Sequence, residues 1–599
     1  MRRQQLFRLL VFAACAGACA AACGIAMRAA AQAEPGGDVA AIRVRLAKLE
    51  NSLHQAQALR DIKRLQYSYA HYAESGLWLD LGDLFAADGV AHYAQGDFRG
   101  PESLRKFYLK ELGRGQLGLA EGRIYPHIMI QPVVTIAEDG TTARGRWHVI
   151  AMLGSYNPSA SSASSASWAG VVYENRYVFE DGVWKIGELS YNSQYSGRYS
   201  PPGLSLSKWD LPYHFTTQSA GAPVVSSALS APAHAADAAA GSANFEGLQQ
   251  RWVNLARGAQ QLQDETEVLN LQYRYGYDFD QKMWDAGANL FAGDGTLELG
   301  QRGVYAGRDR IRRALNAIGG ERLGNDEVND HLQLATVVHI APDGRTARAR
   351  GVELSVSGVK GRGAQWEEGI FENDYVKQEG VWKIHSVHYY PRVITDYELG
   401  WAKDARPAAT SSTVFPPDRP PTEEYGIYPK MYYPRFHYPN PVTQLPVQYP
   451  SGITATVEGA NSKQASSSIA ALPGPPKNLK ELAARLTELE RQINAGIAYD
   501  AVENLASAHG YYLDDSREGN STAIHQTVQP EIQIAPDGKS ATIRARLLKV
   551  DGKAGEFAGG TYEGRAINRD GSWRLQSLTL TPAWSSPFSH WTPMIERRP

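Results

Sequence analysis

The strongest constraint in this sequence is that it repeats itself. Leu65-Gln66-Tyr67-Ser68-Tyr69, followed by Trp78 and Leu84-Phe85-Ala86-Ala87-Asp88-Gly89, returns as Leu271-Gln272-Tyr273-Arg274-Tyr275, Trp284 and Leu290-Phe291-Ala292-Gly293-Asp294-Gly295. Further along, Ile136-Ala137-Glu138-Asp139-Gly140 matches Ile340-Ala341-Pro342-Asp343-Gly344 and Ile534-Ala535-Pro536-Asp537-Gly538. Asp181-Gly182-Val183-Trp184-Lys185-Ile186 then matches Glu379-Gly380-Val381-Trp382-Lys383-Ile384 and Asp570-Gly571-Ser572-Trp573-Arg574-Leu575. Ordered matches of this kind describe three units of one fold. A length of 599 residues agrees, since domains usually take about 100–200 residues each.

Each copy opens on a heptad-like run: Ile42, Leu46, Leu49, Leu53; then Leu248, Trp252, Leu255, Ala259, Leu262; then Leu479, Leu482, Leu486, Leu489, Ile493. This spacing predicts amphipathic helices. Each run has its own domain as the simplest partner, with a short coiled-coil contact between copies or between chains as the alternative. Asp-Gly and Glu-Gly pairs between alternating apolar runs predict hairpins of long antiparallel strands. Segregated helices and strands give an α+β class. From Asp280 to His331 the second copy spans 51 positions, and the matching stretch of the third, Asp514 to His525, spans 11. The third copy is therefore truncated, without its short helices and first strands.

Two linkers separate the copies. Residues 218–243 are Ala, Ser, Pro and Gly, a flexible spacer. The middle of the second, Tyr425 to Pro450, carries four Tyr-Pro pairs and is expected to pack as extended chain across a domain surface. The chain thus divides into a signal peptide at 1–33, a first copy at 38–200, a flexible linker at 201–244, a second copy at 245–400, a Pro/Tyr-rich linker at 401–478 and a truncated third copy at 479–599.

The signal peptide rests on Arg2, Arg3 and Arg8, an Ala-rich apolar stretch from Leu9 to Met27, and the small-x-small site Ala31-Gln32-Ala33. It implies a periplasmic or secreted protein. A retained anchor, or lipid attachment at Cys23, is the alternative. Cys15, Cys19 and Cys23 are the only cysteines, so cleavage leaves a chain without disulfides, thiolate nucleophiles or Cys-based metal sites. A net charge of −2, with no concentrated basic patch, speaks against nucleic acid as a partner. No HExxH, Gly-rich phosphate loop or GxSxG elbow is present, so no metal or cofactor is expected.

The pattern Tyr275-x4-Asp280-x3-Trp284, then Leu290-Phe291-x-x-Asp294-Gly295, then a His before a meander ending Gly-Val-Trp-Lys-Ile, resembles the SnoaL-like branch of the NTF2-like superfamily. The resemblance covers the first two copies and the C-terminal half of the third. It implies tandem cones, each a curved antiparallel sheet wrapped by helices around one deep apolar pocket. It also implies a His-Asp-Tyr set for proton transfer: Tyr275, Asp280 and His331 in copy two, and Tyr69, Glu74 and His127 in copy one. Copy three has His509, Asp514 and His525 there, without the Tyr. A helix cap at Asp280, a backbone-bonded His331 and a core Tyr275 are the structural alternatives.

Asn175 and Asn373 on meander strands are candidate ligand contacts. Trp168 and Trp366, on Gly- and Ser-rich stretches with Phe557 matching in copy three, are candidate lids over the pocket. Glu174, Glu372 and Glu563 share one strand position and are expected to pair with an Arg of the neighbouring strand. Two functions fit: a cofactor-independent lyase or isomerase acting on an apolar small molecule, or a non-catalytic binding or assembly protein. Copies one and two are expected to form a pseudo-dimer within the chain, with room for a homo-oligomer. Mass spectrometry of the exported protein should find Glu34 as its first residue, at a net charge of −6 once the four arginines of the leader are gone.

Overall fold

The structure, a computed structural model, describes residues 39–199, 203–207, 211–222, 244–451, 474–515 and 523–596. The expected signal peptide, most of the first linker and the end of the second lie outside the described residues.

Three long helices, α1 (Val39–Ser75), α4 (Phe245–Asp280) and α7 (Leu479–Asp515), each carry a heptad run and continue without a break into the repeat motif behind it. In copy one there follow α2 (Trp78–Gly82), β1 (Phe85–Tyr93), β2 (Gly96–Arg99), α3 (Pro101–Phe107), β3 (Arg123–Ile124), β4 (His127–Ile136), β5 (Thr142–Ser155), β6 (Ser165–Glu180), β7 (Val183–Arg198) and β8 (Gly203–Leu206). Copy two continues with α5 (Trp284–Asn289), β9 (Phe291–Leu299), β10 (Val304–Ala306), α6 (Arg308–Gly319), β11 (Glu327–Ile340), β12 (Thr346–Val359), β13 (Gly363–Gln378) and β14 (Val381–Asp396). Copy three keeps β15 (Ala523–Ile534), β16 (Ser540–Asp551), β17 (Glu556–Arg569), β18 (Ser572–Pro587) and β19 (Met594–Ile595).

The class is α+β, in three sheet-and-helix modules, but the expected cones are not formed. The sheets run β2-β1-β7-β6-β5-β3, β10-β9-β14-β13-β12-β11 and β15-β16-β17-β18-β19, and in none does the last strand pair with the first. Each sheet is open. The meanders are antiparallel as expected, with one parallel pair in each full copy, β1 with β7 and β9 with β14.

The chain forms two compact units. The smaller holds the heptad ends of the three helices. There the runs pack on one another, where their own domains were the simpler expectation. Leu46, Leu248, Leu482 and Leu486 are fully buried. Arg45 reaches Glu490 at 2.7 Å, Arg251 grips Glu50 at 2.6 and 2.9 Å, and the Arg485 guanidinium lies 5.4 Å from the Trp252 ring.

In the larger unit the three modules close a head-to-tail cycle. The strands β4, β11 and β15 each carry a bulge, at which Gln131, Ala335 and Gln529 take positive φ (56°, 48° and 53°). A bulge turns a backbone carbonyl away from its own ladder. The helix of the next module takes it up: His71 Nε2 lies 2.9 Å from the Ala335 carbonyl, the Tyr277 hydroxyl donates to Gln529 O (3.1 Å), and the Tyr511 hydroxyl donates to Gln131 O (3.0 Å). Helix one thus meets sheet two, helix two meets sheet three, and helix three meets sheet one. Where the three helices converge, Arg60 and Lys63 of copy one sit buried against Asp500 of copy three, at 2.8 and 3.0 Å, and Lys63 also pairs with Glu503.

Side-chain volume at each junction is matched. Gln131 and Gln529 send their amides back to the carbonyls of Ser507 (2.8 Å) and Tyr273 (2.9 Å). They fit because Gly510 and Gly276 face them; a Cβ on Gly276 would lie 2.6 Å from Gln529 Nε2. In the remaining junction the bulge residue is Ala335, and the corresponding helix position holds Ala70. Gly276→Ala should therefore cost about 1–3 kcal/mol by overpacking. The double variant Gly276→Ala, Gln529→Ala, which recreates the Ala–Ala junction, should recover part of that loss in urea denaturation.

Candidate functional site

The residues expected to form one acid–base set are divided between two purposes. In copy two, Asp280 Oδ1 accepts the backbone N–H of His331 at 2.6 Å, and no hydrogen bond joins the two side chains. Its Oδ2 faces Arg546 of copy three at 2.9 Å, and the same guanidinium pairs with Asp330. Burial pushes the Asp280 carboxyl up to about 7, against the pull of Arg546. Asp280 thus ties a helix end to the next strand and to the next module. In copy one Glu74 behaves likewise. It lies 3.0 Å from His71 and 3.1 Å from Arg392 of copy two, which also pairs with Glu368. Neither carboxylate hydrogen-bonds the imidazole of the histidine assigned to it.

His127 instead lies 3.1 Å from the Tyr173 hydroxyl, stacked on the Tyr125 ring. Tyr69, Tyr93 and Tyr108 form a chain of hydroxyls at 2.9 and 3.0 Å beside it. Tyr191 packs against both Tyr93 and Tyr173. The inner face of copy one is thus aromatic and weakly polar. Burial lowers His127 to about 4, so it is neutral at neutral pH.

Copy two differs where it matters chemically. His331 Nδ1 lies 3.0 Å from Glu353 Oε1 on the adjacent strand, and Nε2 lies 3.1 Å from Asn329 Oδ1. Both ring nitrogens face acceptor oxygens, the arrangement that suits an imidazolium. Burial opposes the charge, but the hydrogen bond and charge of Glu353 outweigh it and raise the His331 pKa above the ordinary value. Burial, then the charge of Glu353, pushes Glu367 up to about 7. The same two causes hold Tyr275 neutral. Phe279 packs edge-on to His331, with ring centroids 4.7 Å apart. Copy one has Val149 and Ala169 at the positions of Glu353 and Glu367, so this cluster belongs to copy two alone. Sequence reasoning missed both glutamates. Their signal was a charged residue on the inward phase of otherwise apolar strands, Gly351-Val352-Glu353-Leu354 and Glu367-Glu368-Gly369-Ile370.

Asn175 and Asn373 hold matching places in internal networks. Each donates to a helix glutamine, Gln66 at 3.0 Å and Gln272 at 3.1 Å, and each accepts a backbone N–H of the next strand, from Ser190 and His388. Trp168, Trp366 and Phe557 stand on strands, not loops. Their rings meet one another edge-on at 5.2, 5.4 and 5.3 Å, one from each module. Among the described residues there is no group of His, Cys, Asp or Glu that could hold a metal ion, and no helix is long and apolar enough to cross a membrane.

The neutral His127 makes folding sensitive to acid. Its folded pKa lies below the unfolded value of about 6.5, so its contribution is complete above that pH and is lost as pH falls toward about 4. Between those limits the loss should be about 3 kcal/mol. Urea midpoints measured at pH 7 and pH 4 should differ less in His127→Asn than in the parent.

A SnoaL-like domain matches residues 54–190 and again residues 260–388. Among solved structures, an NTF2-like protein with a cystatin-like fold from Novosphingobium aromaticivorans is 19% identical, covering 25% of this chain and 90% of that one at a TM-score of 0.20. ActVI-ORFA from Streptomyces coelicolor is 17% identical over 21% of this chain and 94% of that one, at a TM-score of 0.19. Aln2 from another Streptomyces species is 18% identical over 21% and 87%, also at 0.19. The family match thus gives the chain a SnoaL-like domain in at least two tandem copies.

Proposed function

We propose that copy two is a proton-transfer centre, a cofactor-independent lyase or isomerase site for a small apolar carbonyl or hydroxy compound, within an exported protein. The observation that carries this is His331 between Glu353 and Asn329, with Glu367 near enough for their charges to act on each other. An elimination needs an acid and a base of separated pKa. Glu367 takes a proton from the carbon next to the carbonyl. The electron pair forms the new C=C bond, the C–O bond breaks, and His331 gives its proton to the departing hydroxyl, which leaves as water. Tyr275, kept neutral, donates a hydrogen bond to the substrate oxygen. The basic leader and Ala31-Gln32-Ala33 support export.

A second reading, binding or assembly without chemistry, draws support from the carboxylates spent between modules, Asp280 on Arg546 and Glu74 on Arg392. It suits copies one and three best. The two readings separate in one titration. By NMR, the His331 ring should titrate above the ordinary histidine value and return toward it in Glu353→Gln. With β-hydroxy ketones as probes, enone formation should fall at least 100-fold in His331→Gln and Glu367→Gln. A ring that titrates at or below the ordinary value would leave only the binding reading.

A further inference from the structure

Each sheet carries a cross-strand Arg–Glu pair on its outer face: Arg146 with Glu174 (3.3 Å), Arg350 with Glu372 (2.6 Å) and Arg544 with Glu563 (3.8 Å). The first two hold a strap cut from the linkers, in one register. In the first strap, Arg146 donates to the carbonyls of Leu211 (3.2 Å) and Pro212 (3.3 Å), its guanidinium lies 4.1 Å from the Tyr213 ring, and His214 Nδ1 pairs with Glu174. In the second, Arg350 donates to the carbonyls of Pro434 (3.2 Å) and Arg435 (3.4 Å), its guanidinium lies 3.7 Å from the Phe436 ring, and His437 Nδ1 lies 2.8 Å from Glu372. The carbonyls are those three and two residues before the histidine, and the stacked ring is the one directly before it. The straps read Tyr213-His214-Phe215 and Phe436-His437-Tyr438.

The third pair holds no strap among the described residues. Its neighbours are in place: Tyr277 lies 4.3 Å under Arg544, as Tyr511 lies 5.4 Å under Arg146. Yet the Arg544 and Glu563 side chains are 34% and 69% exposed, against 1% and 14% for Arg146 and Glu174 and 0% and 14% for Arg350 and Glu372. Arg544 and Glu563 line a cavity of about 1010 Å³. His214 and His437 are the only two of the 15 histidines flanked by aromatics on both sides. Both are seated on their own sheets, so neither is free for the third pair.

We propose that the Arg544–Glu563 socket of copy three is a docking site for an extended aromatic–His–aromatic segment of a partner protein. Two carbonyls of that segment go to Arg544, its leading ring stacks on the guanidinium, and its imidazole goes to Glu563. A charge-assisted hydrogen bond and a cation–π contact on a preformed pair give this site its selectivity.

A labelled peptide copying residues 434–440 serves as the probe, titrated onto the full chain and followed by fluorescence anisotropy. Saturable binding should weaken at least tenfold in Glu563→Gln, and equally when the peptide histidine or the ring before it is replaced by Ala. Because Glu563 is exposed, that variant should melt like the parent, which a thermal scan checks. Absence of saturable binding at millimolar peptide would overturn the proposal. So would binding that Glu563→Gln leaves unchanged but Glu372→Gln alters, since the peptide would then be displacing the chain's own strap.

Discussion

Three outward-facing carbonyls organise this molecule. A residue with side chain in the left-handed region is uncommon, and this chain places one at the same strand position in every copy, at Gln131, Ala335 and Gln529. Each bulge removes a carbonyl from its own sheet, and a buried carbonyl must find a partner. The donor comes from the neighbouring helix each time. Because helix and bulge lie on different surfaces of a module, the contact is head-to-tail, and three such contacts close on themselves. The paired carboxylates, the charged cluster at Arg60 and Lys63, and the triangle of Trp168, Trp366 and Phe557 are all placed by that closure.

Closure also explains why a truncated third copy is retained. It has one long helix and a five-stranded sheet, too little to cover its own apolar face. It nonetheless supplies Tyr511 to copy one and the Gln529 carbonyl to copy two. What it lost were the short helices and first strands, and none of the three junctions uses them. The elements that stayed are those that bond to neighbours.

Much of this was legible in the sequence, and the illegible parts share a cause. The repeat, the heptads and the hairpins are local patterns, and they give the α+β modules directly. The outer Glu row was legible too, since Glu174, Glu372 and Glu563 each face an arginine. Open sheets in place of cones turn on how far each meander curls, which periodicity does not record. The partners of the acid–base residues were hidden for a different reason. Asp280 was assigned to His331 by resemblance, but its cation, Arg546, comes from another copy. The partner of His331, Glu353, is fixed by strand register, a property that no spacing along one strand reveals.

The straps carry a consequence for how the chain is made. Tyr213 donates to the backbone carbonyl of Tyr511 (3.2 Å), and Arg146 beneath it also lies over the Tyr511 ring. Ribosomes release a protein from its first residue onward, and folding follows emergence domain by domain. Copy one can shape its sheet early, but the strap leaving it has half its seat on a helix that emerges some three hundred residues later. The second strap has no such delay, because Arg350 and Glu372, which hold it, precede it along the chain. Through most of synthesis the first strap therefore rests on Arg146 and Glu174 alone, and the last stretch of translation supplies the helix that completes its seat.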